Sequence, residues 1–185
     1  MVNVVVIHGS FGNPSENWFH WLKLELEYLG CNVFVPKFPT PEGQTLEAWS
    51  DIFEEYLQYL DGDSILIGHS LGSAFILSIL ERINMPIMAA FFVSGFTGSL
   101  GDPKFDKINS EFASRQFKWD LIRNNCRRFF IIHSDNDPYV PIEKAQELAG
   151  KLAAEPTIIS GGGYFNTAAG YSKFPFLLKQ IKFLL

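Results

Sequence analysis

The stretch Leu66-Ile67-Gly68-His69-Ser70-Leu71-Gly72-Ser73 constrains this chain more than any other. An apolar run leads into a serine flanked by glycines, and a second, mostly apolar run leaves it. The pattern predicts a strand, a sharp turn and a helix. Gly68-His69-Ser70-Leu71-Gly72 has the G-x-S-x-G spacing of a nucleophile elbow. In such a turn the serine takes a strained backbone conformation and the chain on either side passes close to itself. The positions two before and two after it must therefore carry almost no side chain. The product is a hydroxyl exposed at the edge of a sheet and at a helix N-terminus, where a developing oxyanion is stabilised. The plainer reading is a strand-to-helix loop whose serine is only a helix cap. The rest of the chain decides between the two.

Elsewhere strand and helix patterns alternate almost without a break. Val2 to Ile7 is a β-branched run suited to a strand buried on both faces. His8-Gly9-Ser10-Phe11-Gly12-Asn13-Pro14 is a loop. Ser15 is a candidate cap for a helix with Trp18, Leu22, Leu26 and Leu29 at helical spacing, stopped by Gly30. Asn32 to Phe38 predicts a second strand, and Thr45 caps a helix running to about Leu60. Ser64 to Gly68 enters the elbow, and a mostly apolar helix follows from Ser73 to about Ile83. Pro86 to Val93 is a fourth strand. From Thr97 to Phe117 periodicity is weak, with a short helix expected within Phe105 to Phe112. Trp119 to Asn124 is a short helix, Arg128 to His133 a fifth strand, and Pro141 opens a helix to about Ala154. Thr157 to Ser160 is a sixth strand, and a last helix covers about Tyr171 to Leu184. This order predicts a three-layer α/β/α fold with about six mainly parallel strands and no lid domain, as one domain over residues 1–185. In such sheets the chemistry sits beyond the strand C-termini. Four loops that follow strands should converge there: His8-Gly9, Gly68 to Gly72, Ser134 to Pro138, and Gly161 to Asn166.

Composition removes several function classes. Net charge is −5 with no basic run, which argues against nucleic acid as a partner. The apolar start, Met1 to Ile7, lacks a basic flank and reads as a strand, and Pro86 to Val93 is too short to cross a membrane. A cytoplasmic protein is expected. Cys31 and Cys126 sit in no ligand or disulfide spacing. No His, Asp and Cys cluster has metal-ligand spacing, so neither a metal nor another cofactor is expected. The expected partner is a small-molecule substrate or ligand; the residues identify no protein partner.

A serine hydrolase needs a nucleophile, an acid and a histidine, in the chain order Ser, Asp or Glu, His for an elbow of this kind. Ser70 is the nucleophile candidate. Asp137 is the favoured acid, because it follows a late strand and Pro138 fixes the chain beside it; Asp135 is the alternative, with an Asx-type turn as its plainer role. The oxyanion hole would use the backbone N–H of Leu71 and a second one from Ser10 or Phe11. His8, Gly9, Trp18 and Phe96, with Phe11 and the polar segment from Thr97 to Phe117, are the expected pocket walls, that segment setting acyl or leaving-group selectivity, although aromatic residues at such positions are by default core.

Taken together, these motifs resemble the small lidless α/β-hydrolases of the serine hydrolase family that includes retinoblastoma-binding protein 9. The likeness runs through Val6-Ile7-His8-Gly9, Asn17-Trp18 with Trp21-Leu22, Pro36 with Pro39-Thr40-Pro41, Gly68 to Gly72, Val93-Ser94-Gly95-Phe96, Ser134 to Pro141, and Gly162-Gly163-Tyr164-Phe165-Asn166 with Gly170-Tyr171. It implies a hydrolase of small esters, thioesters or amides, with Ser70 as nucleophile and Asp137 as acid. It also implies a catalytic histidine immediately before the Phe165-Asn166 pair, and the residue there is Tyr164. The four histidines, His8, His20, His69 and His133, all precede Asp137. A phenol with an ordinary pKa near 10 is a donor at neutral pH and a poor base. His8, beside the elbow strand, and His133, next to the acid loop, are the candidates for a substitute base; His69 should point away from Ser70, and His20 lies on the first helix. Two readings follow: a serine hydrolase working through an acyl-Ser70 intermediate with weakened turnover, or an impaired pseudo-hydrolase that serves as a binding or interaction protein.

Overall fold

The computed structural model describes residues 1–185. Six strands form one sheet: β1 (Asn3–Ile7), β2 (Asn32–Phe34), β3 (Ile65–His69), β4 (Ala89–Val93), β5 (Phe129–Ser134) and β6 (Pro156–Ile159). Their order is β2-β1-β3-β4-β5-β6, and every neighbouring pair is parallel. Seven helices pack around it: α1 (Phe19–Tyr28), α2 (Leu46–Leu57), α3 (Leu71–Leu80), α4 (Pro103–Ala113), α5 (Trp119–Asn124), α6 (Ile142–Leu152) and α7 (Pro175–Lys182).

Alternation along each strand divides the core into two layers. Val5, Ile7, Leu66, Ala90 and Phe92 join one cluster with residues of α2, α3, α4 and α6. Val4, Val6, Ile65, Ile67, Phe91 and Val93 join the other with α1 and α7. The β-branched run of β1 is what a strand covered on both faces requires. All ten residues of α3 are buried, which explains its mostly apolar sequence.

The chain adds β2 on one side of β1 and then returns to place β3 on the other. Strand order therefore reverses between β1 and β3, and the loops leaving these strands part there to open a crevice. Ser10 and Ser70 stand at the two sides of that switch point.

Several boundaries differ from expectation for identifiable reasons. The first helix starts at Phe19, four residues after Ser15, because Asn13 Oδ1 accepts the Ser15 N–H in a local turn at 2.9 Å. Strand β2 ends at Phe34, where its pairing with Val5 of β1 ends. Helix α3 begins directly at Leu71. The weakly periodic segment holds an 11-residue helix, α4, capped by Asp102 with Pro103 in its first turn. The last helix starts at Pro175, after a single 3₁₀ turn at Thr167–Ala169. Thr45 caps α2 as expected, accepting the Ala48 N–H at 3.1 Å.

Candidate active site

Ser70 lies between the last residue of β3 and the first of α3 with φ 56 and ψ −123, a conformation that costs a non-glycine residue roughly 1–3 kcal/mol. The surrounding backbone holds it there. Ser70 N–H donates to Val93 O at 2.9 Å, and Ser73 N–H donates to Ser70 O at 3.0 Å. A Cβ on Gly68 would stand 2.6 Å from Gly72 C and from Ser73 N, and one on Gly72 would stand 2.3 Å from Ile7 O. Both glycines are thus dictated by backbone contact. Gly9 is fitted against the serine itself, since a Cβ there would meet Ser70 Cβ at 2.8 Å.

Leu71, the first residue of α3, presents one of the N–H groups that a helix cannot satisfy internally. Across the crevice, Phe11 N–H is already committed, donating to Thr40 Oγ1 at 2.7 Å. Of the two residues expected to supply the second oxyanion donor, Phe11 is therefore occupied and Ser10 is left.

Asp137 follows β5 with its side chain fully buried. Ser94 Oγ donates to its Oδ2 at 2.7 Å, and the N–H groups of Tyr139 and Val140 donate to its Oδ1 at 2.9 and 3.0 Å. Asp135 points elsewhere. It is exposed and accepts the Gly161 N–H at 2.8 Å, a bond that holds its carboxyl below the usual range. Asn136 Oδ1 accepts from Gly163 N–H at 2.7 Å, so the β5 loop grips the loop after β6 at two points.

That loop carries Tyr164. Its main chain is pinned from the other side, where His69 Nε2 donates to Tyr164 O at 2.8 Å and Trp18 Nε1 donates to Phe165 O at 2.9 Å. Burial pushes the Tyr164 phenol well above its ordinary value; the neighbouring Ser70 hydroxyl opposes the shift, while the negative charges of Asp137 and Glu16 add to it. The phenol is a donor across the physiological range. Ser70 Oγ faces the Tyr164 hydroxyl, while the hydrogen bonds of Asp137 and of the buried histidines go to other partners.

The histidines are accounted for individually. His8 Nδ1 donates to Gly9 O at 2.8 Å and its Nε2 accepts the Phe38 N–H at 3.1 Å. Both nitrogens are engaged in the neutral form, and burial lowers its pKa. His69 is sealed against Trp18, Phe19 and Tyr164, and burial lowers it to about 4. His133 is buried; its Nε2 donates to Val140 O at 2.9 Å and lies 4.0 Å from Asp137 Oδ2, while its Nδ1 has no partner. His20 is exposed on α1. No ring nitrogen reaches Ser70, so neither His8 nor His133 is set as its base.

Ser70 and Tyr164 open onto a cavity of about 210 Å³. Its apolar wall is Phe11, Leu100, Phe105, Tyr139 and Val140, and its polar groups include Ser10, Asn109 and Asn166. Of the individually expected pocket residues only Phe11 lines it, joined by Leu100, Phe105 and Asn109 from the expected Thr97 to Phe117 segment. Trp18 is buried in the α1/α7 layer, Phe96 in the opposite layer, and His8 and Gly9 shape the loop beneath Ser70. The sequence does not mark which residues of that segment face the cavity, because that depends on how α4 packs.

The chain is similar to known proteins along almost its whole length. Residues 4–182 match the serine hydrolase family. YdeN of Bacillus subtilis (strain 168) is 30% identical over 174 residues, covering 93% of this chain and 90% of that one. The serine hydrolase RBBP9 of Rattus norvegicus is 27% identical, covering 98% and 94%. The crystal structure of the B. subtilis ydeN gene product superposes with a TM-score of 0.93 over 100% of this chain and 98% of that chain, at 28% identity. Est1E of Butyrivibrio proteoclasticus, solved with ferulic acid bound, shares the fold at TM-score 0.70 and 18% identity, over 98% of this chain and 90% of its own. On the family match and these relatives, the chain belongs to the serine hydrolase family.

Proposed function

We propose that this protein hydrolyses a small ester, thioester or amide through an acyl-Ser70 intermediate, slowly, because Tyr164 stands in the slot of the histidine base. The observation that carries the reading is the Ser70 elbow: a strained serine at the head of the buried helix α3, facing a cavity sized for a small molecule. In the acylation step Ser70 Oγ attacks the carbonyl carbon while the carbonyl oxygen gathers charge beside the Leu71 and Ser10 N–H groups. The serine proton passes by way of water to the leaving oxygen, sulfur or nitrogen, and collapse of the adduct breaks the bond to that leaving group. Water then attacks the acyl carbon, releasing the acid and returning a proton to Ser70. Tyr164 donates a hydrogen bond at this centre and takes no proton. Activated esters suit such a site best, since a good leaving group asks least of the missing base.

One observation favours a second reading. With no ring nitrogen near Ser70, the second reading is a binding member of the family that has lost turnover. Hydrolysis of p-nitrophenyl butyrate and labelling by a fluorophosphonate, measured for the native chain, Ser70→Ala and Tyr164→His, separate the readings. Slow native turnover and labelling, both abolished by Ser70→Ala, support the hydrolase. Turnover indifferent to Ser70→Ala overturns it, and absence of both turnover and labelling supports the binding protein.

A further inference from the structure

Asn109 on α4 is buried, 4% exposed, and lines the same cavity as Ser70. Its amide orientation follows from its neighbours. Gln44 Nε2 lies 2.8 Å from the carbonyl oxygen of Ile108, which only accepts, so that end of Gln44 is the donor. The same Nε2 reaches Asn109 at 3.1 Å, so the atom it meets is the acceptor Oδ1. Ser10 Oγ, 2.5 Å from that Oδ1, must then donate to it. At the other end, Thr40 Oγ1 donates to Gln44 Oε1 at 2.6 Å and accepts the Phe11 N–H. The network fixes Asn109 Oδ1 from two sides and leaves both Nδ2 hydrogens without a protein partner. The Nδ2 is not sealed within the protein, and the cavity is where it is open to a ligand oxygen.

The remaining wall is aromatic. Phe11 meets Phe105 edge-on at 5.9 Å, Phe105 meets Tyr139 at 6.3 Å, and Tyr139 meets Tyr164 at 4.8 Å. A cavity of roughly 150 Å³ already accepts benzene, so about 210 Å³ holds one ring or an equivalent branched chain with a short substituent.

We infer that Asn109 is a specificity-determining residue: its Nδ2 donates to an acceptor oxygen of a small, flat, mainly apolar ligand held among Phe11, Phe105, Tyr139 and Tyr164. The substrate class is thus a compact aryl or branched ester bearing such an oxygen. As a statement about substrate this rests on the hydrolase reading above, but the binding contact itself does not require Ser70 chemistry.

The test is therefore made on Ser70→Ala protein, with acetophenone and α-methylstyrene, which differ by a carbonyl oxygen in place of a CH₂ group. Their dissociation constants are compared with Asn109 present, with Asn109→Leu, and with Asn109→Asp, which keeps the acceptor for Ser10 and Gln44 and deletes the donor. The preference for acetophenone should fall about five- to tenfold in both variants, the size of one hydrogen bond. In case a variant does not fold, the Asn109 side-chain amide protons of the Ser70→Ala protein are followed directly. They should shift with acetophenone and stay still with α-methylstyrene. A preference that does not change, amide protons that respond equally to both compounds, or failure of the cavity to take either overturns the inference. Loss of Ser70-dependent hydrolysis with the preference intact would instead count against the hydrolase reading alone.

Discussion

Ser70 is held by main chain: its φ of 56, its bond to Val93 O, and glycines at 68 and 72 whose missing side chains let β1, β3 and α3 touch. Asp137 and Tyr164, across the cavity, are held by side chains. Ser94, Asn136, Asp135, His69 and Trp18 each contribute a hydrogen bond to those loops. The nucleophile side is therefore set by steric exclusion, which tolerates almost no substitution. The acid and base side is a scaffold of replaceable contacts on which one side chain, Tyr164, can differ in chemistry while its loop stays in place. A protein built this way can lose a base and keep its fold.

On the proposed hydrolase reading, the largest effect should come from placing a base at position 164. Tyr164→His replaces a donor by a group that titrates near neutrality, and general base catalysis is worth about 10²–10⁴-fold. Hydrolysis of p-nitrophenyl butyrate should rise by that order, with the melting temperature nearly unchanged because the main-chain bonds to His69 and the Asn136 loop remain. Unchanged turnover would mean that Tyr164 is not in the base position.

The contrast itself can be broken at two glycines. Gly72→Ala pushes a methyl to 2.3 Å from Ile7 O, where only backbone movement relieves it. The cost should be about 3 kcal/mol, lowering the melting temperature by roughly 10 °C. Gly161, on the opposite side, has φ +71 but open space around it, so Gly161→Ala should cost about 1 kcal/mol. Equal losses by thermal unfolding would remove the distinction between the two sides.

This asymmetry also governs how much the sequence could disclose. Backbone-dictated features leave local marks: the β-branched run of β1, the glycine pair around Ser70, the Thr45 cap. Each was readable because the constraint and the residue type stand together in sequence. The mainly parallel sheet and the convergence of four loops followed from alternation. Features made by tertiary contact left no such mark. The cavity wall depends on where α4 packs: Asn109, Phe112 and Ala113 are its buried face, and nothing local shows which of its side chains reach the cavity. Trp18 and Phe96 have the composition of pocket residues and the positions of core residues. The Phe11 N–H is unavailable because of Thr40, 29 residues away. The roles of His8 and His69 depend on carbonyl and amide partners, which sequence does not display.

His69 joins the two sides, ending β3 while holding the Tyr164 carbonyl. Burial lowers it from 6.5 to about 4, so the folded protein keeps it neutral where the unfolded chain binds a proton. Its effect is absent above pH 6.5. As pH falls from 6.5 towards 4, stability should decline at up to about 1.4 kcal/mol per pH unit from this residue, or about 2 kcal/mol by pH 5. Urea unfolding midpoints measured from pH 7.5 to pH 4.5 should show this loss, and His69→Gln should flatten the profile while lowering its plateau. An unaltered slope would place the acid sensitivity elsewhere, with the buried His8 next in line.

A modest predicted effect is the sharpest test of independence between the sides. Ser94 holds a positive φ of 46 at the end of β4, with its N–H on Ile132 O and its hydroxyl on Asp137 Oδ2. Ser94→Ala removes a charge-assisted bond and leaves Oδ2 facing His133 Nε2 at 4.0 Å, a nitrogen whose proton is already given to Val140 O. The loss should be about 1.5 kcal/mol, or roughly 4 °C in melting temperature. Fluorophosphonate labelling of Ser70 should keep its native rate, because nothing in the elbow touches Ser94's hydroxyl. In the Tyr164→His background the same change should alter turnover severalfold, since Asp137 then has a histidine to orient. Slower labelling by Ser94→Ala in the native chain would show that the acid loop positions the nucleophile after all, and that steric exclusion around Gly68 and Gly72 is not sufficient to hold it.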